Sequence, residues 1–456
     1  MKKYDMIVIG SGSGMTLVDE ATGHGLKVAL VDKGPLGGTC LNVGCIPSKM
    51  LIHPADRVME IREAEKLGIH AEIKGIDFGA IMERMRRMVK ENREHVREGI
   101  SGVELLDFYE GEGHFVADYT MEVPGKKIMA EKIVIASGSR PFIPPIKGIE
   151  NIDYLTNESV LELNERPESI IIVGGGYIAV EYGHFFAAMG TKVTILEMAD
   201  RLILSEEPEI ASLLQQKLSE RMEVHTGARV EEVKQDKGKV TAVVSDEKSG
   251  GRKEFSARRI MMAVGRRSNA DLLKVENTGV KLDQKGFIKT NANLRTNREN
   301  IYAIGDANGQ QMFTHMANRE ALTLVYNVLH GEKVIMDYTA APHAVYSYPQ
   351  IASVGLTEEA ARKKYGKILV GVAEYSEVAK GEAMMETDGF AKAIVDHELD
   401  KILGFHVIGP YAPILVQEVT NAMASGGHID EIHQGIHIHP ALSELVQLSL
   451  SSFEEA

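Results

Sequence analysis

Cys40 and Cys45 are the only thiols in a chain of 456 residues. They lie five positions apart in Gly37-Gly38-Thr39-Cys40-Leu41-Asn42-Val43-Gly44-Cys45-Ile46-Pro47-Ser48-Lys49. Two cysteines cannot staple a protein of this size, so they point to a reducing interior or a redox task. In a regular helix this spacing carries a rise of about 7.5 Å, beyond the roughly 7 Å Cα separation that a disulfide tolerates. A bridge between them needs a bent or unwound turn. Gly37, Gly38 and Gly44 allow that backbone, and Pro47 limits how far a helix can run back. So short a loop gains little closure entropy, which makes the bond poorly suited to a structural role. The plain alternative is two unpaired buried thiols. No second Cys or His pair has the spacing of a zinc site, and no metal is expected.

Two glycine turns carry a second kind of chemistry. Gly174-Gly175-Gly176-Tyr177-Ile178-Ala179 fits G-x-G-x-x-A after an apolar run and before a helical one. Glycines there let backbone N–H groups approach a pyrophosphate at the positive end of a helix. Glu197 closes the next apolar run, where a carboxylate binds a ribose 2′-hydroxyl and repels a 2′-phosphate. NAD(H) is therefore preferred over NADP(H), with Arg201 softening the preference. The other turn holds Gly10, Gly12 and Gly14, but its third fingerprint position falls on Met15, which demands a looser helix–strand contact. Asp32 ends the strand that follows. Two nucleotide sites imply two cofactors: a nicotinamide delivers hydride and a flavin accepts it.

These residues need elements to hold them. Residues 4–14 read as a buried strand breaking into glycines, and 27–34 as a second strand. Residues 169–198 repeat that design, so two dinucleotide-binding βαβ units are expected. Between them, residues 61–99 read as a long amphipathic excursion with a core-facing Met stripe. After residue 336 the texture becomes that of an α+β domain with an antiparallel sheet. The expected boundaries are 1–148 for the first part of a flavin-binding domain, 149–266 for a nicotinamide-binding domain, 267–335 for the second flavin part and 336–456 for an interface domain.

Composition is ordinary for a globular protein, at 44% hydrophobic and 25% charged residues. A net charge of −14 argues against nucleic-acid binding. No apolar run reaches the roughly 18 residues of a membrane span. The N-terminus lacks the apolar core and cleavage site of a signal peptide. The expected location is the cytoplasm.

The segment 37–49 resembles the redox-active motif of the flavoprotein pyridine nucleotide-disulfide reductases. So do 135–141 (IASGSRP), 264–269 (VGRRSN), 302–307 (YAIGDA), 437–444 (HIHPALSE) and both nucleotide turns. The resemblance covers nearly the whole chain. It implies an α/β fold of two Rossmann-like domains, for FAD and NAD, plus a C-terminal α+β dimerisation domain. By the same likeness Cys45 is the flavin-proximal thiol and Cys40 the interchange thiol. His439 is the acid/base that reaches them from the other subunit of a homodimer, with Glu444 orienting it; His437 is read as structural. Lys49 sits near flavin N5 with Glu181 as its ion-pair partner, and Asp306 bonds the ribityl chain. Tyr177 falls where some members place an aromatic over the flavin, while many lipoamide dehydrogenases carry an aliphatic residue. Gly38, Thr39, Ser137, Gly138 and Gly265 complete the cofactor contacts.

The substrate is expected to be a small disulfide or a lipoyl domain. Glu197 and the HPALSE ending suit an NADH-linked dihydrolipoamide dehydrogenase, which is the favoured reading. Residues 10–20, 314–321 and 378–394 resemble the mycothione reductase branch, so reduction of a low-molecular-weight thiol disulfide (mycothione, bis-γ-glutamylcystine or coenzyme A disulfide) is the alternative. Glu20 stands where glutathione reductases tend to carry a basic residue. Mercuric reductases end in a further cysteine pair, which this sequence lacks. A flavin NADH oxidase or peroxidase of the single-cysteine type is argued against by the second cysteine.

Overall fold

Met6, Ile7, Val8 and Ile9 form the buried end of strand β1 (Lys2–Ile9), as a parallel strand covered on both faces requires. The structure, a computed structural model, describes residues 1–246, 251–398 and 400–455. Its backbone groups into two units. One comprises Met1–Met50, Met82–Phe142 and Gly265–Asp337; the other comprises Leu51–Ile81, Ile143–Val264 and Tyr338–Ala456.

In the first unit β1 leads through helix α1 (Met15–Gly23) to β2 (Val28–Asp32). The short α2 (Gly38–Asn42) and the long α3 (Cys45–Glu63) follow, and α3 passes into the second unit at Leu51. After α4 (Phe78–Ile100) come β3 (Leu106–Glu110), β4 (His114–Ala117), β5 (Thr120–Val123) and β6 (Lys126–Ile135). Strands β3, β2, β1 and β6 are parallel neighbours in that order, with strand Ile301–Ala303 parallel to the end of β6. The antiparallel meander β4-β5-β6 extends the sheet. Ile7, Ile133, Ile135 and Ile301 share one core cluster beneath it.

Residues 61–99 are not one continuous excursion. Helix α3 ends at Glu63, and a 3-10 turn Ala64–Leu67 closes at Gly68 with φ +77°. Residues 69–77 then run without regular structure to α4. A left-handed glycine ends a helix where an L side chain would be strained, and that signal outweighed the helical spacing on either side. The Met stripe is confined to α4: Phe78, Met82, Met85 and Val89 are buried, whereas Met88 is exposed.

Helix α3 carries Pro54 in its interior. Proline has no N–H to return to the carbonyl of Met50, and Nη2 of Arg84 from α4 donates to that carbonyl at 3.0 Å instead.

The second unit has its own parallel sheet, in the order Glu223–Thr226, Lys192–Glu197, Ser169–Val173, Arg259–Met262. Helix α5 (Tyr177–Ala188) makes the first crossover and α6 (Pro208–Ser219) the next. Among the described residues, the expected antiparallel sheet after residue 336 has six strands, starting at Pro342–Val345 and packed on Val416, Val419 and Leu445. Helix α7 (Thr314–Val328) belongs to the first unit.

Candidate active site

Cys40 lies in α2 and Cys45 opens α3, so the bend that a bridge requires falls at Val43-Gly44 between the two helices. A Cβ on Gly44 would come within 2.9 Å of the Thr39 carbonyl oxygen, and one on Gly38 (φ +64°) within 2.8 Å of Gly12 Cα. No side chain fits at either place. Both cysteines are free thiols, Cys40 half-buried and Cys45 exposed. They hydrogen-bond to each other, and Cys45 Sγ also lies 3.3 Å from Oγ1 of Thr314, the first residue of α7.

These contacts make the two thiols unequal. The hydrogen bond from Cys40 lowers the Cys45 pKa to about 6, against burial and with further help from Thr314 and the charge of Lys49. Cys40 is pushed up by its bond to Cys45, by burial and by that neighbour's charge. Both shifts act in one sense, favouring the proton on Cys40 and the negative charge on Cys45. Lys49 lies one turn along α3 from Cys45.

Around the first glycine turn the chain approaches itself too closely for side chains. A Cβ on Gly10 (φ +103°) would meet the Ala136 carbonyl oxygen at 2.2 Å. The tight helix–strand contact falls on Gly14, whose Cβ would sit 2.9 Å from Val8 Cγ1. Met15 therefore stays half-buried and needs no looser contact, contrary to the fingerprint reading. The Asp32 carboxylate accepts N–H bonds from Ser11 (2.6 Å) and Gly34 (2.7 Å). Asp306 accepts from the Ser139 hydroxyl at 2.5 Å and pairs with Arg266 Nε at 3.6 Å. Gly138 (φ +66°) and Gly265 (φ +121°) bend the backbone in the same unit. The Ser137 hydroxyl is buried without a hydrogen-bond partner. An orphaned hydroxyl and glycines that exclude side chains fit a bound FAD, which Gly10, Gly12, Gly14, Asp32, Thr39, Ser137 and Asp306 would hold.

The second turn repeats the device. A Cβ on Gly174 (φ +112°) would meet the Ala263 carbonyl oxygen at 2.3 Å, and one on Gly175 would meet Glu197 Cγ at 2.8 Å. The turn thus packs directly on the acidic residue expected at the ribose. Gly176 faces open space, Tyr177 is half-buried at the start of α5, and Ala179 is buried. Glu197 Oε1 accepts the Ala199 N–H at 2.6 Å, and Arg201 Nε is buried without a partner. These groups fit a nicotinamide dinucleotide. Glu181 is buried within α5 and accepts the Tyr346 N–H at 3.0 Å.

His439 Nδ1 lies 2.9 Å from Glu444 Oε1, and the other Glu444 oxygen accepts the Ala441 N–H at 2.9 Å. The Ala441 bond and then His439 hold the Glu444 carboxyl below its usual range. The His439 side chain is 71% exposed in the single chain. His437 is bonded to Glu418 at 2.9 Å. Among the described residues, Glu207, Glu209 and Glu358 form a carboxylate group able to hold a cation. The buried Lys392 ammonium fills that position, bonded to all three.

Three contributors escaped residue-level reading. Thr314 is 269 positions from Cys45, and nothing local marks it. Ser139 and Arg266 lie within motifs quoted above, but only their convergence on Asp306 gives them a role.

Residues 4–321 match the family described as pyridine nucleotide-disulphide oxidoreductase, and 341–450 match its dimerisation domain. The chain belongs to this family, whose members bind FAD and a pyridine nucleotide. It is 33% identical to dihydrolipoyl dehydrogenase of Chlamydia trachomatis over 97% of this chain and 95% of that one. It is 34% identical to mycothione reductase of Mycobacterium tuberculosis over 99% of both, and 31% identical to a mercuric reductase of Staphylococcus aureus over 99% of this chain and 83% of that one. The solved structure of the HOCl-induced flavoprotein disulfide reductase RclA from Escherichia coli superposes with a TM-score of 0.87 at 28% identity, covering 98% of this chain and 99% of that one. The two Rossmann-like sheets and the C-terminal antiparallel domain are those of the class I disulfide reductases.

Proposed function

We propose that this protein moves electron pairs between NAD(H) and a dithiol/disulfide substrate through FAD and the Cys40–Cys45 couple, with lipoamide as the substrate. The unequal cysteine pair carries the reading. The thiolate belongs on Cys45, the thiol that family likeness places beside the flavin. Cys40 keeps its proton until a base removes it, and His439 of a second subunit, oriented by its bond to Glu444, supplies that base. FAD, when bound, would supply two-electron transfer between the nicotinamide and the Cys40–Cys45 bond.

In the reducing direction Cys40 loses its proton to His439 and its sulfur attacks one sulfur of the substrate disulfide. The substrate S–S bond breaks as a mixed disulfide forms, and the departing thiolate takes the proton from His439. Cys45 then attacks Cys40, re-forming the intramolecular bond and releasing the second substrate sulfur, which is protonated from solvent. Two electrons reach the substrate and the dithiol becomes a disulfide. Oxidation of dihydrolipoamide follows the same steps in reverse. Glu197 supports NADH over NADPH, and Glu181 is assigned the role of counter-charge to Lys49 on the strength of the resemblance.

Reduction of a low-molecular-weight thiol disulfide is the second reading, supported by the mycothione reductase likeness over 99% of the chain and by Tyr177. Steady-state assays of lipoamide, mycothione, bis-γ-glutamylcystine, coenzyme A disulfide and glutathione disulfide, each with NADH and NADPH, decide between the two. The expected result is the highest kcat/KM for lipoamide with NADH. A higher value for a soluble thiol disulfide establishes the second reading, and no turnover of any disulfide overturns both.

A further inference from the structure

Helix α5 carries a buried carboxylate and a buried imidazole one turn apart. Glu181 has a role in the reading above; His184, fully buried, has none. Its Nε2 lies 2.9 Å from Asp56 Oδ1 and its Nδ1 lies 3.1 Å from Arg221 Nη1. A guanidinium only donates, so Nδ1 must be the acceptor and Nε2 must carry the hydrogen that is given to Asp56. The imidazole is thereby held neutral in one tautomer. Protonation would set an N–H against an N–H beside a permanent cation, and burial lowers the pKa in the same sense.

The ring also grips a segment of chain. It stacks on Tyr348 with centroids 5.7 Å apart and planes at 20°. Arg221 lies 5.6 Å over the same tyrosine ring and donates to the Tyr348 carbonyl oxygen. The Tyr348 hydroxyl donates to Glu63 at 2.8 Å. Two residues earlier in that segment is Tyr346, whose N–H donates to Glu181. One end of Tyr346–Tyr348 is therefore fixed by Glu181, and the other by His184 and the arginine that His184 orients. Asp56 and Glu63 are seven residues apart on α3, on one face of the helix that begins with Cys45.

We propose that His184 is a positioning residue for Glu181: by fixing Tyr346–Tyr348 it holds the N–H that orients the Glu181 carboxylate, and through Glu181 it sets how electrons divide between flavin and dithiol. The inference rests on the assignment of Glu181 as counter-charge to Lys49. His184 acts only through Glu181.

The test is an anaerobic NADH titration of the purified FAD-containing protein. It reads the ratio of long-wavelength thiolate–flavin absorbance to bleaching of the main flavin band. E181Q and H184F are each expected to change that ratio at least about twofold in the same direction, and the double variant is expected to go no further, as for coupled neighbours. H184Q, whose amide restores a donor toward Asp56, is expected to recover part of the ratio. A role confined to stability would lower the thermal midpoint of H184F and leave the ratio unmoved. If E181Q shifts the ratio while H184F does not, or if the two shifts add, His184 does not act through Glu181. If E181Q itself behaves as wild type, the assignment of Glu181 fails and the inference falls with it. Should H184F not retain FAD, the same cycle is run with D56A, at a position that reaches solvent, and the same outcomes decide.

Discussion

At the residue scale the active cysteines differ because of what each touches. Both thiols meet Thr314, but Cys45 also has the Cys40 thiol and a lysine on its own helix to favour its charge, whereas Cys40 is pushed up by its bond to Cys45 and by burial. A depressed pKa means that the reactive form is present above it and lost below it. The long-wavelength thiolate–flavin absorbance of the reduced, FAD-containing protein should therefore appear with a midpoint near pH 6, below the ordinary thiol range of about 8–9. Thr314→Val should move the Cys45 midpoint upward, and an unchanged midpoint would show that the hydroxyl does not stabilise the thiolate. His439→Gln should lower disulfide turnover by about 10²–10⁴-fold, the scale of a lost acid/base, while NADH still reduces an artificial dye; equal loss of both activities would remove His439 from the relay. Cys40 and Cys45 stood out in the sequence by their scarcity and spacing, whereas His439 and Glu444 were singled out by the resemblance, and the structure brings those two within 2.9 Å. Thr314 was not legible, because its meaning depends on a contact that only the folded chain creates.

At the scale of elements, the two glycine turns place the same backbone problem in two units. The first glycine of each abuts a carbonyl oxygen, that of Ala136 in one and Ala263 in the other. Gly174→Ala should therefore disable the nicotinamide site alone: the protein should remain yellow and be reduced by dithionite but not by NADH. A variant still reduced at the normal rate by NADH would remove that turn from the dinucleotide site. Strand Phe390–Asp396 supplies Lys392, whose ammonium is buried among three carboxylates. Burial alone would lower its pKa, but its bonds to Glu207, Glu209 and Glu358 raise it instead. Lys392→Met leaves the buried Glu207 without its cation, and unfolding in denaturant should show a loss of about 3–5 kcal/mol, as when one partner of a buried pair is removed. Strands were readable from continuous apolar runs and turns from glycines. The break at 64–77 was not, since helical spacing on both sides masked Gly68. Gly14 took over the close contact assigned to Met15 because packing, and not the position in the pattern, decides which residue must be small.

At the scale of the whole molecule, the proposed function assigns the exposed His439 to a site completed by a second copy of the chain. Ile414, Ile436 and Ile438 of the dimerisation region are also exposed in the single chain, at 69%, 100% and 76%, and such apolar groups suit burial at an interface. Mixing Cys40→Ser and His439→Gln chains tests the arrangement. If the base comes from the partner, each mixed dimer contains one intact site and one doubly defective site, so differentially tagged heterodimers should recover about half of wild-type activity. An inactive heterodimer would place the base in the same chain as the thiol it serves. The duplicated nucleotide design and the antiparallel C-terminal texture were visible in the sequence from periodicity. The substrate was not, since both branches fit the same relay residues.

The chain passes from one unit to the other at residues 50/51, 81/82, 142/143, 264/265 and 337/338. Neither unit is a continuous stretch, and this bears on how the protein is made. A ribosome must reach Asp337 before the first unit has all its segments, and the C-terminal segment before the second does. At about 5–20 residues per second, incomplete surfaces stay exposed for many seconds of synthesis. Cys45 precedes Thr314 by 269 positions, so the thiol is synthesised well before the hydroxyl that it meets in the folded chain.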